Sequence, residues 1–217
     1  MTTLELYDLN HTMAKAYLAG FTYPWQALKG IKDLILTLGE TLGEDYEEVA
    51  PTVWVHRTAT VAPTAFLGAP CIIGAGTEVR HCAFVRGSAL VGENCVVGNS
   101  VELKNVILFD NVQTPHYNYV GDSILGYKSH MGAGSITSNV KSDKTLVYVP
   151  FGGEHIETGL RKFGAILGDF VEVGCNSVLN PGAVVGRNSS VYPLSSVRGV
   201  VPEDSIYKAR SEIVHRL

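Results

Sequence analysis

The chain is dominated by a six-residue repeat that begins at Val55. Every sixth position from there to Phe109 is apolar, at Val55, Val61, Leu67, Ile73, Val79, Val85, Val91, Val97, Leu103 and Phe109. A spacing of six matches neither the helical period of 3.6 nor the two-residue period of a strand exposed on one face. It is typical of short strands that stack around a common axis and are joined by tight turns. The repeat therefore predicts a mainly β solenoid, and three sides of six residues would make a coil of 18.

Composition agrees with a globular domain that carries a small appendage. The chain has 217 residues, of which 46% are hydrophobic and 18% are charged, and its net charge is −4. This charge gives no general attraction to nucleic acid or to an anionic membrane. We find no apolar run long enough to cross a bilayer and no signal peptide, so we expect a cytoplasmic location. The four cysteines lack metal-binding spacing, and Cys71 and Cys95 occupy small-residue positions where packing is the expected role.

The segments on either side of the repeat predict helices. Residues 1–51 are interpreted as a helical extension, with helices over 13–18 and 25–36, that closes one end of the coil. The acidic residues within 40–48 suggest a solvated connector. Residues 203–217 are amphipathic and predict a C-terminal helix that covers the other end.

The coil itself is expected over 52–202, and its register is interrupted twice. After Phe109, polar Gln113 and then Pro115 occupy repeat positions, followed by His116. The second interruption is an inserted loop at about 140–163. Loops that leave a repeat structure commonly collect on a binding face, so both interruptions mark candidate functional regions.

Two cations are spaced so that they should lie on one outer face. Arg86 and Lys104 each follow an apolar repeat position and are 18 residues apart, which places them in adjacent coils. Two close cations repel each other unless an anion lies between them. The spacing alone leaves two interpretations open, a site for an anionic ligand or two solvated surface charges.

The residues around the first interruption resemble a known enzyme family. The segments carrying Arg86, Lys104, His116 to Asp122 and Gly132 to Asn139 resemble the acetyltransferase half of bacterial bifunctional N-acetylglucosamine-1-phosphate uridyltransferase/glucosamine-1-phosphate acetyltransferase. Residues 157–166 are similar to the C-terminal β-helix of related sugar-1-phosphate nucleotidylyltransferases. The resemblance implies a left-handed parallel β-helix of hexapeptide repeats and a homotrimer.

The resemblance also implies which residues act on acetyl-CoA. His116 matches the general base that takes a proton from the sugar amino group, and a histidine pKa suits this role near neutral pH. The backbone N–H of Ala133 falls where the family stabilises the thioester oxyanion and binds the cofactor. Cys175 stands where a small polar residue contacts coenzyme A.

The implied sugar phosphate site is equally specific. Its predicted residues are Arg86, Lys104, Tyr119, His130, Asn139 and Lys144. Arg86 and Lys104 match the residues that hold the phosphate. His130 replaces the usual asparagine, and Lys144 is one residue out of step with the substrate lysine of the family.

The predicted function is therefore acetyl-CoA-dependent N-acetylation of a glucosamine-1-phosphate-like amino sugar, with no metal required. About 50 residues precede the coil, so the nucleotidyltransferase half of the family is not expected in this chain. One alternative is a non-catalytic trimeric scaffold or a partner subunit of a separate sugar nucleotidyltransferase. Another is a zinc enzyme of the β-helical carbonic anhydrase class, which needs three histidines to converge on one metal across a subunit interface. His81, His116 and His130 are present, but the His-x-x-x-x-His pair expected in that class is missing.

Overall fold

A computed structural model, which describes residues 1–208 and 212–215, shows a left-handed parallel β-helix of about nine coils. Each full coil places one short strand on each side of a triangular prism, and strands of successive coils pair in parallel. We number the three sides in the order in which the chain meets them.

The strands of each side follow one another at intervals of about one coil. Side one contains β2 (Val53–His56), β5 (Cys71–Ile73), β8 (Ala89–Val91), the second halves of β10 (Glu102–Leu108) and β12 (Tyr119–Leu125), β17 (Ala165–Leu167), β20 (Ala183–Val185) and β23 (Val200–Val201). Side two contains β3 (Thr60–Val61), β6 (Glu78–Val79), β9 (Val96–Asn99), β11 (Gln113–His116), β13 (His130–Met131), β18 (Glu172–Val173), β21 (Ser190–Val191) and β24 (Ser205–Lys208). Side three contains β4 (Phe66–Leu67), β7 (Phe84–Val85), the first halves of β10 and β12, β14 (Ile136–Thr137), β19 (Val178–Leu179) and β22 (Ser196–Val197).

The apolar repeat forms the inner column of the prism, but its register shortens earlier than the sequence suggested. Val79 pairs with Val97 and Ile73 with Val91, which is the predicted step of one coil. Val91 then pairs with Leu108. One residue is therefore lost before Phe109, and the prediction of Phe109 as an inward repeat position is wrong. Its ring is buried instead against Tyr7, with the ring centroids 4.8 Å apart.

The N-terminal helices lie along side one of the coil. The N-terminal segment contains α1 (Thr3–Leu6), a 3₁₀ helix (Leu9–His11), α2 (Lys15–Leu18), a longer 3₁₀ helix (Pro24–Gly30) and α3 (Ile31–Gly39). The middle residues of the side-one strands point outward by strand alternation, and they are aliphatic in six successive coils: Ile72, Leu90, Ile107, Ile124, Ile166 and Val184. All six are buried, and the N-terminal helices contact β5, β8, β10 and β12, the strands that carry the first four. These helices therefore cover a side of the coil, and closure of its end by residues 1–51 stays a prediction.

Backbone contacts at the corners of the coils hold this segment in place. The N–H of Asp169 donates to the Leu6 carbonyl at 3.0 Å, and the N–H of Asp8 donates to the Asp169 carboxylate at 2.7 Å. Burial raises the pKa of the Asp169 carboxyl, although Arg187 lies 3.2 Å away and opposes the shift. The segment thus reaches from the early coils to a coil formed more than a hundred residues later.

The predicted N-terminal helices are present, and part of the acidic connector is a strand. The predicted helix over 13–18 corresponds to the short α2, while the predicted helix over 25–36 is divided into the 3₁₀ helix at Pro24–Gly30 and α3. β1 (Tyr46–Ala50) overlaps the acidic stretch and pairs antiparallel with β2 while remaining largely exposed.

The predicted C-terminal helix is wrong over the residues that the structure describes. β24 continues the ladder of side two, where Val191 pairs with Tyr207, and then pairs antiparallel with β25 (Glu212–His215). Tyr207 is buried, and its hydroxyl donates to the Ser196 carbonyl at 2.9 Å. Ladder hydrogen bonds and this burial outweigh the helical periodicity of the segment. Residues 209–211 and 216–217 of the predicted helix lie outside the described residues.

The predicted inserted loop contains an antiparallel hairpin. Its strands are β15 (Val147–Phe151) and β16 (Glu154–Leu160), and Val147 and Val149 are buried against the later coils. Within the described ranges, no helix is long and apolar enough to cross a membrane.

Candidate functional site

The corner between sides two and three stacks the three residues expected to act on acetyl-CoA. His116, Ala133 and Cys175 take equivalent places in three successive coils. Their carbonyl oxygens accept hydrogen bonds from the next coil, at 3.0 Å from Gly134, 2.9 Å from Asn176 and 3.0 Å from Leu194. The structure thus brings together on one corner three residues that are far apart in the sequence, from His116 to Cys175.

Asn118 fixes the backbone at His116, and sequence reasoning missed it. The His116 N–H donates to Asn118 Oδ1 at 3.2 Å, while Asn118 Nδ2 donates to the carbonyls of Gly132 and Ser135 at 2.8 and 3.1 Å. Asn118 is 2% exposed, whereas the His116 side chain is exposed. In the sequence, Asn118 stands two residues after His116 in the interrupted repeat, and in the structure the intervening Tyr117 has a left-handed φ of 53° that marks a corner.

The backbone at Ala133 offers an N–H that donates to no acceptor among the described residues. The preceding Gly132 allows the next coil to come close, since a Cβ there would lie 2.7 Å from the Cys175 nitrogen and the Val173 oxygen. An unpaired N–H beside the exposed Cys175 can donate to an oxygen atom of a bound molecule.

A buried carboxylate, also missed from the sequence, gathers three of the predicted acceptor residues. Lys104 Nζ lies 2.8 and 3.0 Å from the two carboxylate oxygens of Asp122. Asn139 Nδ2 donates to the same carboxylate at 2.6 Å and to the Tyr119 hydroxyl at 3.1 Å. Asn105 adds a further hydrogen bond of 3.0 Å. Burial, followed by the nearby charge of Asp122, raises the pKa of Tyr119, so its hydroxyl stays protonated.

Arg86 lies one coil from Lys104, as the 18-residue spacing predicted. Its guanidinium is 2.7 Å from the Glu102 carboxylate, and this hydrogen-bonded ion pair raises the pKa of Arg86. Each stacked cation therefore has its own carboxylate, Glu102 for Arg86 and Asp122 for Lys104. These pairs relieve the repulsion that the sequence had suggested.

A cavity of about 560 Å³ opens at the corner between sides three and one, where Arg86, Lys104 and Asp122 lie. Four further cations line it, and sequence reasoning missed all of them: Lys29, Lys32, Arg161 and Lys162. Nothing in the sequence showed that the N-terminal helices would lie along side one, or that the hairpin would return to the same corner.

The other two predicted acceptor residues do not join this group within one chain. His130 is on side two, where its Nδ1 lies 2.8 Å from the Glu172 carboxylate. Lys144 is exposed in the connection between β14 and β15, with a left-handed φ of 57°. Among the described residues of the single chain, no three His, Cys, Asp or Glu side chains are grouped as a metal ion requires, so His81, His116 and His130 do not form such a group within one chain.

The stacked coils and the hexapeptide column define the class as left-handed β-helix proteins of hexapeptide repeats. The family described as the GMPPB C-terminal domain matches residues 78–191, which is a little over half of the chain. The chain belongs to this family.

The chain is also similar to curated proteins that are longer. A bifunctional sugar-1-phosphate nucleotidylyltransferase/acetyltransferase of Sulfurisphaera tokodaii is 29% identical over 94% of this chain and 55% of its own length. Bifunctional protein GlmU of Methanococcus maripaludis is 34% identical over 52% of the chain and 27% of its own length. GlmU of Cyanothece sp. is 35% identical over 66% and 28%. The chain thus spans about half or less of the length of these relatives.

Solved structures of similar shape are more distant. A hexapeptide transferase family protein from Anaplasma phagocytophilum has a TM-score of 0.43 and 15% identity, with 75% of this chain and 78% of that chain covered. The polySia specific acetyltransferase NeuO has the same TM-score and identity, with 75% and 76% covered.

Proposed function

We propose that the protein is an acetyl-CoA-dependent N-acetyltransferase whose acceptor is an amino sugar phosphate, with His116 as the general base. The observation that carries this proposal is the stack of His116, Ala133 and Cys175 on one corner. The Asp122 group lies on the same coil as His116, at the other edge of side three. The names of the relatives, which include acetyltransferase and GlmU, support the same chemistry.

The proposed reaction is a direct transfer. The neutral amino nitrogen of the sugar attacks the thioester carbonyl carbon while His116 takes its proton. The carbonyl oxygen gains negative charge and accepts a hydrogen bond from the N–H of Ala133. Collapse of this intermediate forms the amide and breaks the carbon–sulfur bond, and the proton passes from His116 to the sulfur. The products are the N-acetylated sugar and coenzyme A, whose contact with Cys175 positions the sulfur near His116.

In the proposed acceptor site, Arg86 and Lys104 bind the phosphate. A guanidinium donates in a fork and an ammonium acts as a point charge, so the two complement each other around one phosphate. Tyr119 and Asn139 contact the sugar, and Asp122 orients both Asn139 and Lys104. His130 and Lys144 stay predictions as sugar contacts, and a homotrimer stays a prediction for the assembly.

The test is release of free thiol from acetyl-CoA with glucosamine 1-phosphate or galactosamine 1-phosphate. We expect turnover by the wild type and a fall of about 100- to 10,000-fold for His116→Ala, the usual contribution of a general base. His81→Ala is the matched control, because His81 is an exposed histidine on the same corner, and its Nδ1 bonds Thr64. Equal turnover of wild type and His116→Ala would remove His116 from the chemistry.

A second candidate function is a non-catalytic scaffold or partner subunit of a separate nucleotidyltransferase. One observation favours it: Arg86 and Lys104 are both already paired with carboxylates, which an acceptor phosphate must displace or share. Coenzyme A binding without thiol release from either sugar would support this candidate over the enzyme.

A further inference from the structure

The cavity at the corner of sides three and one contains more positive charge than the proposed phosphate contacts use. Arg86 and Lys104 are neutralised there by Glu102 and Asp122. The other cations are Lys29, Lys32, Arg161 and Lys162. Within residues 1–208 and 212–215, none of these four makes an ion pair or a side-chain hydrogen bond. These four positive charges around one opening are therefore available to bind an anionic ligand.

The walls that carry these cations are fixed by buried contacts. Asn105 Nδ2 donates to the Leu28 carbonyl at 3.1 Å and to the Asp122 carboxylate at 3.0 Å, which ties the segment before Lys29 to the coil. Trp25 stacks on Phe163 with ring centroids 5.9 Å apart, and both side chains are buried. The N-terminal helices and the end of the hairpin are thus joined behind the cavity, and their exposed cations are held at its mouth.

The cations come from three elements in three pairs. Lys29 and Lys32 are three residues apart across the junction of the 3₁₀ helix and α3, a spacing that places side chains on one helical face. Arg86 and Lys104 are stacked on adjacent coils, and Arg161 and Lys162 follow β16. Positive charge therefore reaches the cavity from three separate parts of its wall.

The size and the lining of the cavity further restrict the class of ligand that can bind there. A volume of about 560 Å³ falls in the range of roughly 300–1,000 Å³ that holds whole small molecules, which exceeds the need of one phosphate. The apolar lining consists of aliphatic residues, among them Leu28, Pro70 and Leu160, and no aromatic side chain of the described chain lines it. A nucleobase would find no aromatic ring on which to stack.

We propose that this cavity binds a ligand with a diphosphate group and recognises its phosphates, with little discrimination between nucleobases. The inference rests on the proposed function in one respect: Arg86 and Lys104 are taken to bind the phosphate that is attached to the sugar. The diphosphate has two sources, a nucleoside-diphosphate-linked amino sugar that serves as the acceptor, or a free nucleoside diphosphate that binds without reacting.

The experiment is calorimetric titration with inorganic pyrophosphate, inorganic phosphate, UDP and GDP, without acetyl-CoA. We expect the wild type to bind pyrophosphate at least about tenfold more tightly than phosphate, and UDP and GDP within about threefold of each other. Lys29→Ala/Lys32→Ala and Arg161→Ala/Lys162→Ala should each weaken pyrophosphate binding about tenfold or more and phosphate binding less. The matched control is Lys15→Ala/Arg57→Ala, which removes two exposed cations elsewhere and should leave both affinities unchanged.

Equal affinity for pyrophosphate and phosphate, or an equal loss in the control pair, would overturn the inference. A strong preference between UDP and GDP would overturn its second part. Adding acetyl-CoA and UDP-glucosamine separates the two sources, because thiol release identifies the acceptor, while UDP binding without thiol release identifies the free nucleotide. Since the titrations need no turnover, a failure here is distinguishable from a failure of the proposed acetyl transfer.

Discussion

Asn118 shows how one buried amide can support an exposed catalytic candidate. Its side chain satisfies the backbone of two coils at once, since it bonds His116 in its own coil and Gly132 and Ser135 in the next. The turn that carries His116 is therefore hydrogen-bonded, through Asn118, to the turn of the next coil that carries Ala133. The proposed base and the proposed oxyanion donor share this one support.

Asn118→Ala should destabilise the fold and also disturb turnover. Loss of the amide removes the side-chain donor to the Ser135 carbonyl and the acceptor of the His116 N–H, which costs about 1–3 kcal/mol of the free energy of unfolding. Urea unfolding measures this cost, and thiol release below the unfolding transition measures the turnover number. Asn99→Ala is the control, because Asn99 makes an exposed hydrogen bond to His81 on the same corner. Wild-type stability and turnover in Asn118→Ala would contradict the supporting role.

The four thiols should differ in reactivity according to burial. Burial raises the pKa of Cys71 and of Cys95 to about 12, so both stay protonated and unreactive near neutral pH. Cys82 and Cys175 are exposed and should react with a thiol reagent.

Coenzyme A should protect Cys175 and leave Cys82 reactive, because only Cys175 lies beside Ala133 in the proposed cofactor site. At a concentration about 100 times its Kd, the free site and the alkylation rate should fall roughly 100-fold. Peptide mass spectrometry of the alkylated protein reports each cysteine separately. Equal protection of both thiols, or of neither, would place the cofactor elsewhere.

Among the elements, the N-terminal helices depend on a few large anchors. Trp25 is 1% exposed and lies between Tyr23, at a ring distance of 4.6 Å, and Phe163, at 5.9 Å. The contact joins the helices of side one to the residue that follows the hairpin. Trp25 therefore helps to hold the two segments that line the cationic cavity, the N-terminal helices and the end of the hairpin.

Trp25→Ala should lower the free energy of unfolding by about 3–5 kcal/mol, the usual cost of removing a large buried aromatic side chain. Chemical denaturation followed by circular dichroism measures the change. Leu4→Ala, in the same segment but 71% exposed, should stay within about 0.5 kcal/mol of the wild type. A similar small effect for both variants would show that the helices are not anchored through Trp25.

The sequence predicted the repetitive elements better than the elements that leave the repeat. A strict column such as Val79, Val85 and Val91 has one geometric solution, so coil and strand positions followed directly. The C-terminal segment was predicted as a helix because its apolar spacing fits one, whereas pairing of Val191 with Tyr207 decides its structure. Only a long-range contact carries that information.

Residues of the candidate site were predictable where their separation in the sequence equals the length of one coil, because such residues lie side by side. Arg86 and Lys104 could be placed on adjacent coils from their separation of 18. Asp122 also lies 18 residues after Lys104, so the same spacing could have placed it beside Lys104, but its role as a partner of that cation was not recognised. Lys29 and Arg161 were missed because their positions depend on how two irregular segments fold onto the prism.

At the scale of the whole molecule, the covered side one limits which surface can form an oligomer. The aliphatic row of this side is buried within the chain itself, so the predicted homotrimer must use side two or side three. Side three displays Phe66 and Phe84, whose side chains are 59% and 42% exposed and whose rings lie 5.6 Å apart. Such an exposed aromatic pair is typical of a protein interface.

Phe66→Ser/Phe84→Ser should therefore shift the protein from trimer to monomer, which sedimentation velocity measures directly. The physical reason is the loss of two large apolar contacts from each proposed interface. Leu4→Ser, which removes a single exposed apolar side chain on the N-terminal segment, should leave the trimer intact. If the doubly substituted protein remains a trimer, the interface lies on another surface. If the wild type is a monomer, the predicted homotrimer is wrong.

The placement of the N-terminal helices has a consequence for synthesis on the ribosome. The Asp169 N–H donates to the Leu6 carbonyl, and the helices contact the strands of side one as far as β12. At about 5–20 residues per second, the helices emerge roughly 10–30 seconds before the last coils that they cover. During that interval their apolar faces have no complete docking surface, and the early coils, which can stack as they appear, provide a growing one. This segment is therefore translated before the coils that it contacts and reaches its final contacts only after them, and a nascent chain that stalls midway leaves its apolar face uncovered.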